Sequence, residues 1–327
     1  MQTIPLFFTF NERYVIAAIA AFYSLLEKAS PNYYYKLYVL HTDIKGKSQQ
    51  TLTKLVCKFP NASLEFINTS SFDSGGWSQL KYKEHFSKEI FYKLIAAEVF
   101  PQYDRIICSD VDVIFLGNIS ESYFLYKDEF FYFAGVKSPI YSNISKRKYA
   151  KYFNDTELEI LRHEISAGYL LINLKAIREN CKQKEMVEYY KSNLHRLILP
   201  EQNCIILTCY PYLKDLPVSY VVATYYYKLN IDKINFNMKK FSNRDMAVNS
   251  FKEALNNPIQ LHYAGHKKPW NSFFIPKWRS WIKVISKSGF FFYYLKMLPL
   301  SLSLFSVHKI RKYSLKRFIN KMQCKIM

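Results

Sequence analysis

The chain has 327 residues, 50% hydrophobic and 18% aromatic, with 46 Lys and Arg against 26 Asp and Glu, a formal charge of +20. This composition excludes a wholly disordered chain and supplies a core for one broad α/β domain or two coupled ones. The positive surplus calls for an anionic partner; without zinc-finger spacing, an RNP signature or a helix-turn-helix, a phosphate-rich small molecule or an anionic membrane surface fits better than nucleic acid.

In chain order, Ile4 to Phe10 is predicted as a strand, broken by Asn11-Glu12-Arg13. That break comes too early for a signal peptide. Tyr14 to Lys28, with four Ala, is apolar around much of its circumference and predicts a buried helix ended by Ser30-Pro31-Asn32. Tyr35 to His41 predicts a strand, Ser48 to Phe59 an amphipathic helix, and Ala62 to Asn68 a third strand. This alternation argues for a parallel sheet covered by helices. Ser74-Gly75-Gly76 marks a loop, Lys88 to Phe100 a helix, and Arg105 to Ser109 a central strand.

A further strand is expected at 130–135, a mobile flap at 138–160, and a strand at 166–173. Helices are expected from Leu174 through Tyr190 and over 201–209, while 211–260 shows no equally clear alternation. Six Cys, at positions 57, 108, 181, 204, 209 and 324, form no CxxC pair, which favours a reducing compartment. Gly289 to Phe305 is aromatic and aliphatic, but Lys296 and Pro299 interrupt it and it is short for a membrane crossing. Beyond it, seven Lys and Arg between Lys309 and Lys325 alternate with apolar residues, a pattern suited to a helix lying on an anionic membrane or to a solubilising tail.

Chemistry concentrates at Asp110-Val111-Asp112, where an apolar run stops at two carboxylates and resumes. At the carboxyl edge of a parallel sheet such a pair faces the ligand crevice. Oxygen ligation of this kind suits Mg²⁺ or Mn²⁺, ions that keep bonds to substrate phosphates. A solvent-facing acidic turn is the alternative. His262, at the end of the run Ile259-Gln260-Leu261, can complete a metal site with the two aspartates or serve the core. Its neighbours Gly265 and Lys268 offer close backbone approach and a charge for phosphate, or a rigid surface turn.

With these landmarks the sequence resembles glycosyltransferase family 8. The matching segments run in order: Phe7 to Tyr14, Ser87 to Leu94, Ser109 to Asp112, Ser166 to Leu174, Glu201-Gln202-Asn203, and His262 to Trp270. The resemblance implies an α/β GT-A fold: a central mixed, mostly parallel sheet flanked by helices, with a C-terminal helical extension. Element order and composition, together with the resemblance, predict a catalytic domain over 1–275, with a nucleotide-sugar half at 1–120 and an acceptor and remaining donor-site half at 121–275, followed by a basic aromatic helical membrane-association region at 276–327. Asp110, Asp112 and His262 match the family's Mn²⁺ ligands, with Mg²⁺ an alternative ion. Donor contacts are implied for Phe10, Asn11, Glu12 and Tyr14 in the first loop, and for Lys93, Asp110, Val111 and Asp112. Ser166, Ala167, Gly168, Gln202, His262, Gly265 and Lys268 complete that implied set.

Four positions depart from the family pattern: Lys93 replaces an Arg, Ser166 an Asn, Asn11 an Asp, and Glu201-Gln202-Asn203 an Asp-Gln-Asp. Lysine keeps the charge but loses the planar fork of arginine. The implied activity is retaining transfer of galactose or glucose from a UDP-hexose to a saccharide or lipid-linked oligosaccharide of lipopolysaccharide or a related surface glycan. The implied setting is the cytoplasmic face of a bacterial inner membrane. Asp110, Gln202 and Lys268 are the expected catalytic groups, with Glu201 a fallback nucleophile. A non-catalytic sugar-nucleotide-binding protein and a metal-dependent nucleotide hydrolase or nucleotidyltransferase are the competing classes.

Overall fold

The computed structural model describes residues 1–70, 72, 88–140 and 148–296. Its centre is a seven-stranded sheet in the order β3-β2-β1-β4-β7-β6-β8. The strands are β1 (Gln2–Thr9), β2 (Tyr33–His41), β3 (Ala62–Asn68), β4 (Arg105–Ser109), β6 (Phe133–Lys137), β7 (Ile165–Asn173) and β8 (Leu213–Asp215). All pairings are parallel except those of β7, which runs against both β4 and β6. This is the mixed, mostly parallel sheet expected from the sequence.

Adjacent residues of β1 feed opposite cores. Leu6 and Phe8 pack with Ile16, Phe22 and Leu37 on one face, while Phe7 packs with Phe100, Ile106 and Leu170 on the other. Burial on both faces explains why β1 reads as an unbroken apolar run instead of an alternating one. Helix α1 (Val15–Glu27) is buried nearly all round because it lies between α2 (Gly46–Val56), a second sheet and a C-terminal helix. That second sheet has the order β5-β10-β9, built from β5 (Val113–Phe115), β9 (Val222–Ala223) and β10 (Gln260–His262).

The helical regions differ from the sequence expectation in several places. Residues 88–100 do not form one helix: a 3-10 segment, Lys88–Lys93, precedes a single short turn α3 (Ala96–Val99). Residues 91–97 are buried throughout, so their apolarity accommodates either winding, and Lys93 within them is tied to the Ala167 carbonyl at 2.9 Å. After α4 (Ser120–Phe124), part of the expected flap is the capped helix α5 (Asp155–Leu161), with Asn154 and Glu157 forming a reciprocal capping box. Residues 141–147 of that flap lie outside the described residues, as do the loop at 74–76 and Ser87.

The helix expected from Leu174 is two, α6 (Leu174–Glu179) and α7 (Lys182–Asn193), separated by Cys181 in a left-handed conformation (φ 51°). The expected strand at 130–135 begins only at Phe133. Helix α8 (Pro200–Cys209) matches its expectation and starts with Pro at its first turn. The unassigned region 211–260 contains β8, β9 and α9 (Arg244–Asn256), whose N-terminus is capped by Asn243 accepting from the Met246 N–H.

Helix α10 (Trp278–Ser288) docks on α1 through Trp281, Val284 and Ile285, and its Lys287 pairs with Glu27 at 2.8 Å. Residues 276–296 of the expected membrane-association region are therefore packed on the domain. Its remaining residues, 297–327, lie outside the described ones. Among the described residues, no helix is long and apolar enough to cross a membrane.

Candidate active site

Strand β4 delivers Cys108 and Ser109 fully into the core and is followed by Asp110, whose N–H donates to the Gly168 carbonyl of β7 (3.0 Å). Val111 turns inward, and β5 of the second sheet begins at Val113. The two carboxylates thus occupy the step between the sheets. Strand β10 pairs antiparallel with β5, setting His262 opposite Val113, and the Tyr263 N–H reaches the Asp112 carbonyl at 3.0 Å. Backbone pairing from two directions therefore fixes all three side chains.

His262 Nε2 lies 3.3 Å from Asp112 Oδ1 and 3.7 Å from Asp110 Oδ2. One ligand atom from each residue falls within 4.8 Å of the others. Two carboxylate oxygens and an imidazole nitrogen form a donor set that fits Mn²⁺ or Mg²⁺. The histidine ring rests on Gly168, where an added Cβ would stand 3.0 Å from Nδ1. Behind the step, Gln260 Nε2 donates to Ser109 Oγ (2.9 Å), which donates to the Asp110 carbonyl (2.8 Å).

Two buried ammonium groups flank the carboxylates. Lys93 Nζ is 2.6 Å from Asp110 Oδ1, 2.9 Å from the Ala167 carbonyl and 3.8 Å from Glu201 Oε1. Burial opposes its charge, yet Asp110 and Glu201 overcome that cost and raise its pKa. Lys268 Nζ contacts Asp112 Oδ2 directly and donates to the Tyr263 carbonyl at 2.8 Å. Burial favours the neutral form of Asp112, but His262 and Lys268 hold it well below the usual carboxylate range. His262 moves upward: burial works against its proton, and Asp112 prevails. Glu201 is pushed up by burial against the pull of Lys93, and its Oε2 is buried without a hydrogen bond. Burial also pushes the Cys108 thiol up to about 12, which leaves it inert.

Gln202 occupies the next position on α8. Its Oε1 accepts the Ala167 N–H (3.2 Å) and its Nε2 donates to Glu164 Oε2 (3.3 Å). Ser166 Oγ accepts from the Gly168 N–H at 3.2 Å. Asn203 faces away: its Oδ1 takes the Ile198 and Leu199 N–H groups at 3.0 and 2.9 Å, holding the chain that enters α8.

The first loop divides. Tyr14 sits within electrostatic range of Lys268, Asp112 and Asp110, with its ring edge on Trp270 at 5.8 Å. Asn11 Nδ2 points to Glu89 Oε2 at 3.5 Å, and Glu12 accepts from the Lys45 N–H and Ser48 Oγ at the start of α2. Phe10 buries its ring on Phe22, leaving its main chain for any ligand. Gly265 has φ +89° with open space around it, so the backbone conformation accounts for its identity.

The structure thus brings together Asp110, Asp112, His262, Lys93, Lys268, Tyr14, Gly168 and, through Ala167, Gln202. It commits Asn11 and Glu12 to other partners. Sequence reasoning did not single out Glu164, which the structure sets against Gln202. Glu164 carried no sequence signal: it lies in the turn before β7, its N–H bonded to the Leu161 carbonyl at 3.1 Å, outside the strand alternation.

A family model described as Glycosyl transferase family 8 matches residues 5–273. No curated protein matches the chain significantly. Among solved structures, the bifunctional glycosyltransferase WbbM in its apo form superposes with a TM-score of 0.71 at 20% identity, over 90% of this chain. The chain spans 52% of WbbM's length. The galactosyltransferase LgtC, in complex with donor and acceptor sugar analogues, gives 0.66 at 16% identity over 88% of this chain and 95% of its own. The glycosyltransferase GlyE of Streptococcus pneumoniae TIGR4 gives 0.61 at 16% identity over 93% of this chain and 64% of its own.

Proposed function

The chain belongs to glycosyltransferase family 8 and has a GT-A fold; from that premise we propose that it transfers a hexose, galactose or glucose, from a UDP-sugar to a saccharide acceptor with retention at the anomeric carbon. The observation that carries this reading is the convergence of Asp110, Asp112 and His262 between two sheets, flanked by Lys93 and Lys268.

Asp110, Asp112 and His262 would hold Mn²⁺ or Mg²⁺, which when bound neutralises charge on the donor diphosphate. Lys268 and Lys93 add positive potential from a nearly water-free position, where it is worth more than in bulk solvent. Lys93 balances Asp110 and Lys268 balances Asp112, so both ammonium groups stand beside the carboxylates that would hold the ion. The acceptor oxygen forms its bond to the anomeric carbon on the face from which the C–O bond to phosphate breaks, and the acceptor proton passes to the leaving phosphate oxygen. Gln202, whose amide oxygen accepts the Ala167 N–H, would use the free lone pair of that oxygen to support positive charge developing on the sugar. Tyr14 and Trp270 form a wall beside the metal ligands.

The acceptor class is a saccharide of lipopolysaccharide or a related surface glycan. The basic residues from Lys309 onward support a location on an anionic membrane face, the cytoplasmic side of a bacterial inner membrane. Removal of residues 306–327 should release the protein from anionic vesicles; unchanged vesicle binding rejects that role. The activity is tested with UDP-galactose, UDP-glucose and UDP-N-acetylglucosamine, with Mn²⁺ and a saccharide acceptor, product configuration being read by NMR. Retained configuration with release of UDP supports the proposal. Tight donor binding without turnover would make the protein a sugar-nucleotide binder instead.

A further inference from the structure

Glu164 immediately precedes β7 and belongs to none of the groups assigned above. Its Oε2 accepts the Gln202 side-chain N–H at 3.3 Å. The orientation of that amide is fixed by chemistry: the Ala167 N–H, 3.2 Å away, requires an oxygen, so the nitrogen faces Glu164. The residue that donates to Gln202, Ala167, also offers its carbonyl, in the next peptide unit, to Lys93 at 2.9 Å, and Lys93 reaches Asp110 at 2.6 Å. Ala167 therefore links two hydrogen-bonded pairs, Glu164 with Gln202 on one side and Lys93 with the Asp110 carboxylate on the other.

We propose that Glu164 is a positioning residue for the transfer reaction: its carboxylate clamps the Gln202 amide nitrogen, presents the amide oxygen at the reacting sugar, and makes that oxygen more electron-rich. The inference rests on the role given to Gln202 above. An ionised acceptor draws on the amide N–H more strongly than a neutral one and polarises the whole amide. The polarised oxygen is a better partner for positive charge at the anomeric carbon. Without Glu164, one face of the amide has no anchor and the side chain can rotate away from Ala167.

The surroundings make the clamp sensitive to protonation. Burial pushes Glu164 up to about 7, and the Gln202 hydrogen bond alone opposes it. The titratable groups facing it are phenols: Tyr149 from the segment before α5, and Tyr225 and Tyr226 from the 3-10 turn Thr224–Lys228. Among the described residues it makes no ion pair, and the adjoining His163 ring packs on Tyr210 at 5.0 Å.

The test compares the full chain with Glu164→Gln and Glu164→Ala, using Mn²⁺, a UDP-hexose and a saccharide acceptor across the pH range around neutrality. Glu164→Gln keeps the shape and an acceptor oxygen but not the charge. It should lower kcat about tenfold, the difference between a charged and a neutral hydrogen bond, with donor KM nearly unchanged. The wild-type fall in kcat on the acid side, centred near pH 7, should vanish in this variant. Glu164→Ala should lose more activity than Glu164→Gln, since it leaves the amide nitrogen unanchored.

Unchanged kcat and an unchanged acid limb in Glu164→Gln overturn the inference and leave the transferase reading standing. Should the wild type show no turnover, that reading fails, and NMR decides the clamp by itself. The Gln202 side-chain NH₂ signals, identified by their loss in Gln202→Glu, should move with a midpoint near pH 7 in the wild type and stay fixed in Glu164→Gln. Signals that do not move in the wild type overturn the clamp.

Discussion

Asp112 answers to three neighbours at once: His262 at 3.3 Å, the Lys268 ammonium, and the Tyr263 N–H on its own carbonyl. Replacing it with Asn removes the charge that faces the buried Lys268 ammonium and His262. Manganese-dependent UDP release should fall at least about a hundredfold in Asp112→Asn, as when one charge-stabilising group is deleted elsewhere. A variant retaining near wild-type release over a Mn²⁺ titration rejects the metal site. Gly168 tests the same centre from behind. An alanine there would stand 3.0 Å from His262 Nδ1, so the ring must shift. Mn²⁺ affinity measured calorimetrically should weaken about tenfold in Gly168→Ala, the lower range for disturbing the support of a ligand. At this scale the sequence was informative about identity and uninformative about partners. Asp110, Asp112 and His262 stood out through their apolar flanks, whereas Glu164 did not, because its importance comes from Gln202, 38 residues away.

Elements convert those identities into geometry. Helix α8 offers Glu201, Gln202 and Asn203 in succession, and its rotation sends the first toward Lys93, the second toward Ala167 and Glu164, and the third into the chain before the helix. Helix α10 acts through rings. Trp281 is fully buried, meets Trp270 at 5.9 Å and Tyr294 at 5.2 Å, and Trp270 in turn meets Tyr14 at 5.8 Å. Trp281→Ala should cost about 3–5 kcal/mol in urea unfolding, as large aromatic deletions from a packed core do. It should also raise donor KM, because Trp270 loses its backing. Unaltered stability would mean that α10 does not hold this wall. The C-terminal helical extension was expected from the sequence, but the docking of α10 was not, because its partners lie on α1, more than two hundred residues earlier.

Across the whole molecule, Glu164 couples the site to stability. Its folded pKa of about 7 exceeds the ordinary 4.5, so the folded protein holds a proton that the unfolded chain releases. The contribution is fully present below pH 4.5 and is lost as pH rises through the window to about 7. Thermal unfolding of Glu164→Gln should therefore decline less than that of the wild type across this window, with the variant the more stable above it. Parallel curves would show that Glu164 is already solvated in the folded protein. The formal charge of +20 works on the same scale but differently, since it sets long-range attraction to anions and does not specify a fold.

By itself the sequence determined the parallel arrangement of the first strands, the ordered family landmarks and the identities of the candidate metal-binding residues. Strand and helix periods are local, and burial on both faces writes continuous apolar runs such as Ile4 to Phe8 directly into the chain. Tertiary structure alone decided that 88–100 breaks into short turns, that β7 runs against its neighbours, that α10 packs on α1, and that Glu164 faces Gln202. Each of these depends on contacts between residues far apart in sequence, where propensity is nearly neutral and packing or a single hydrogen bond tips the balance.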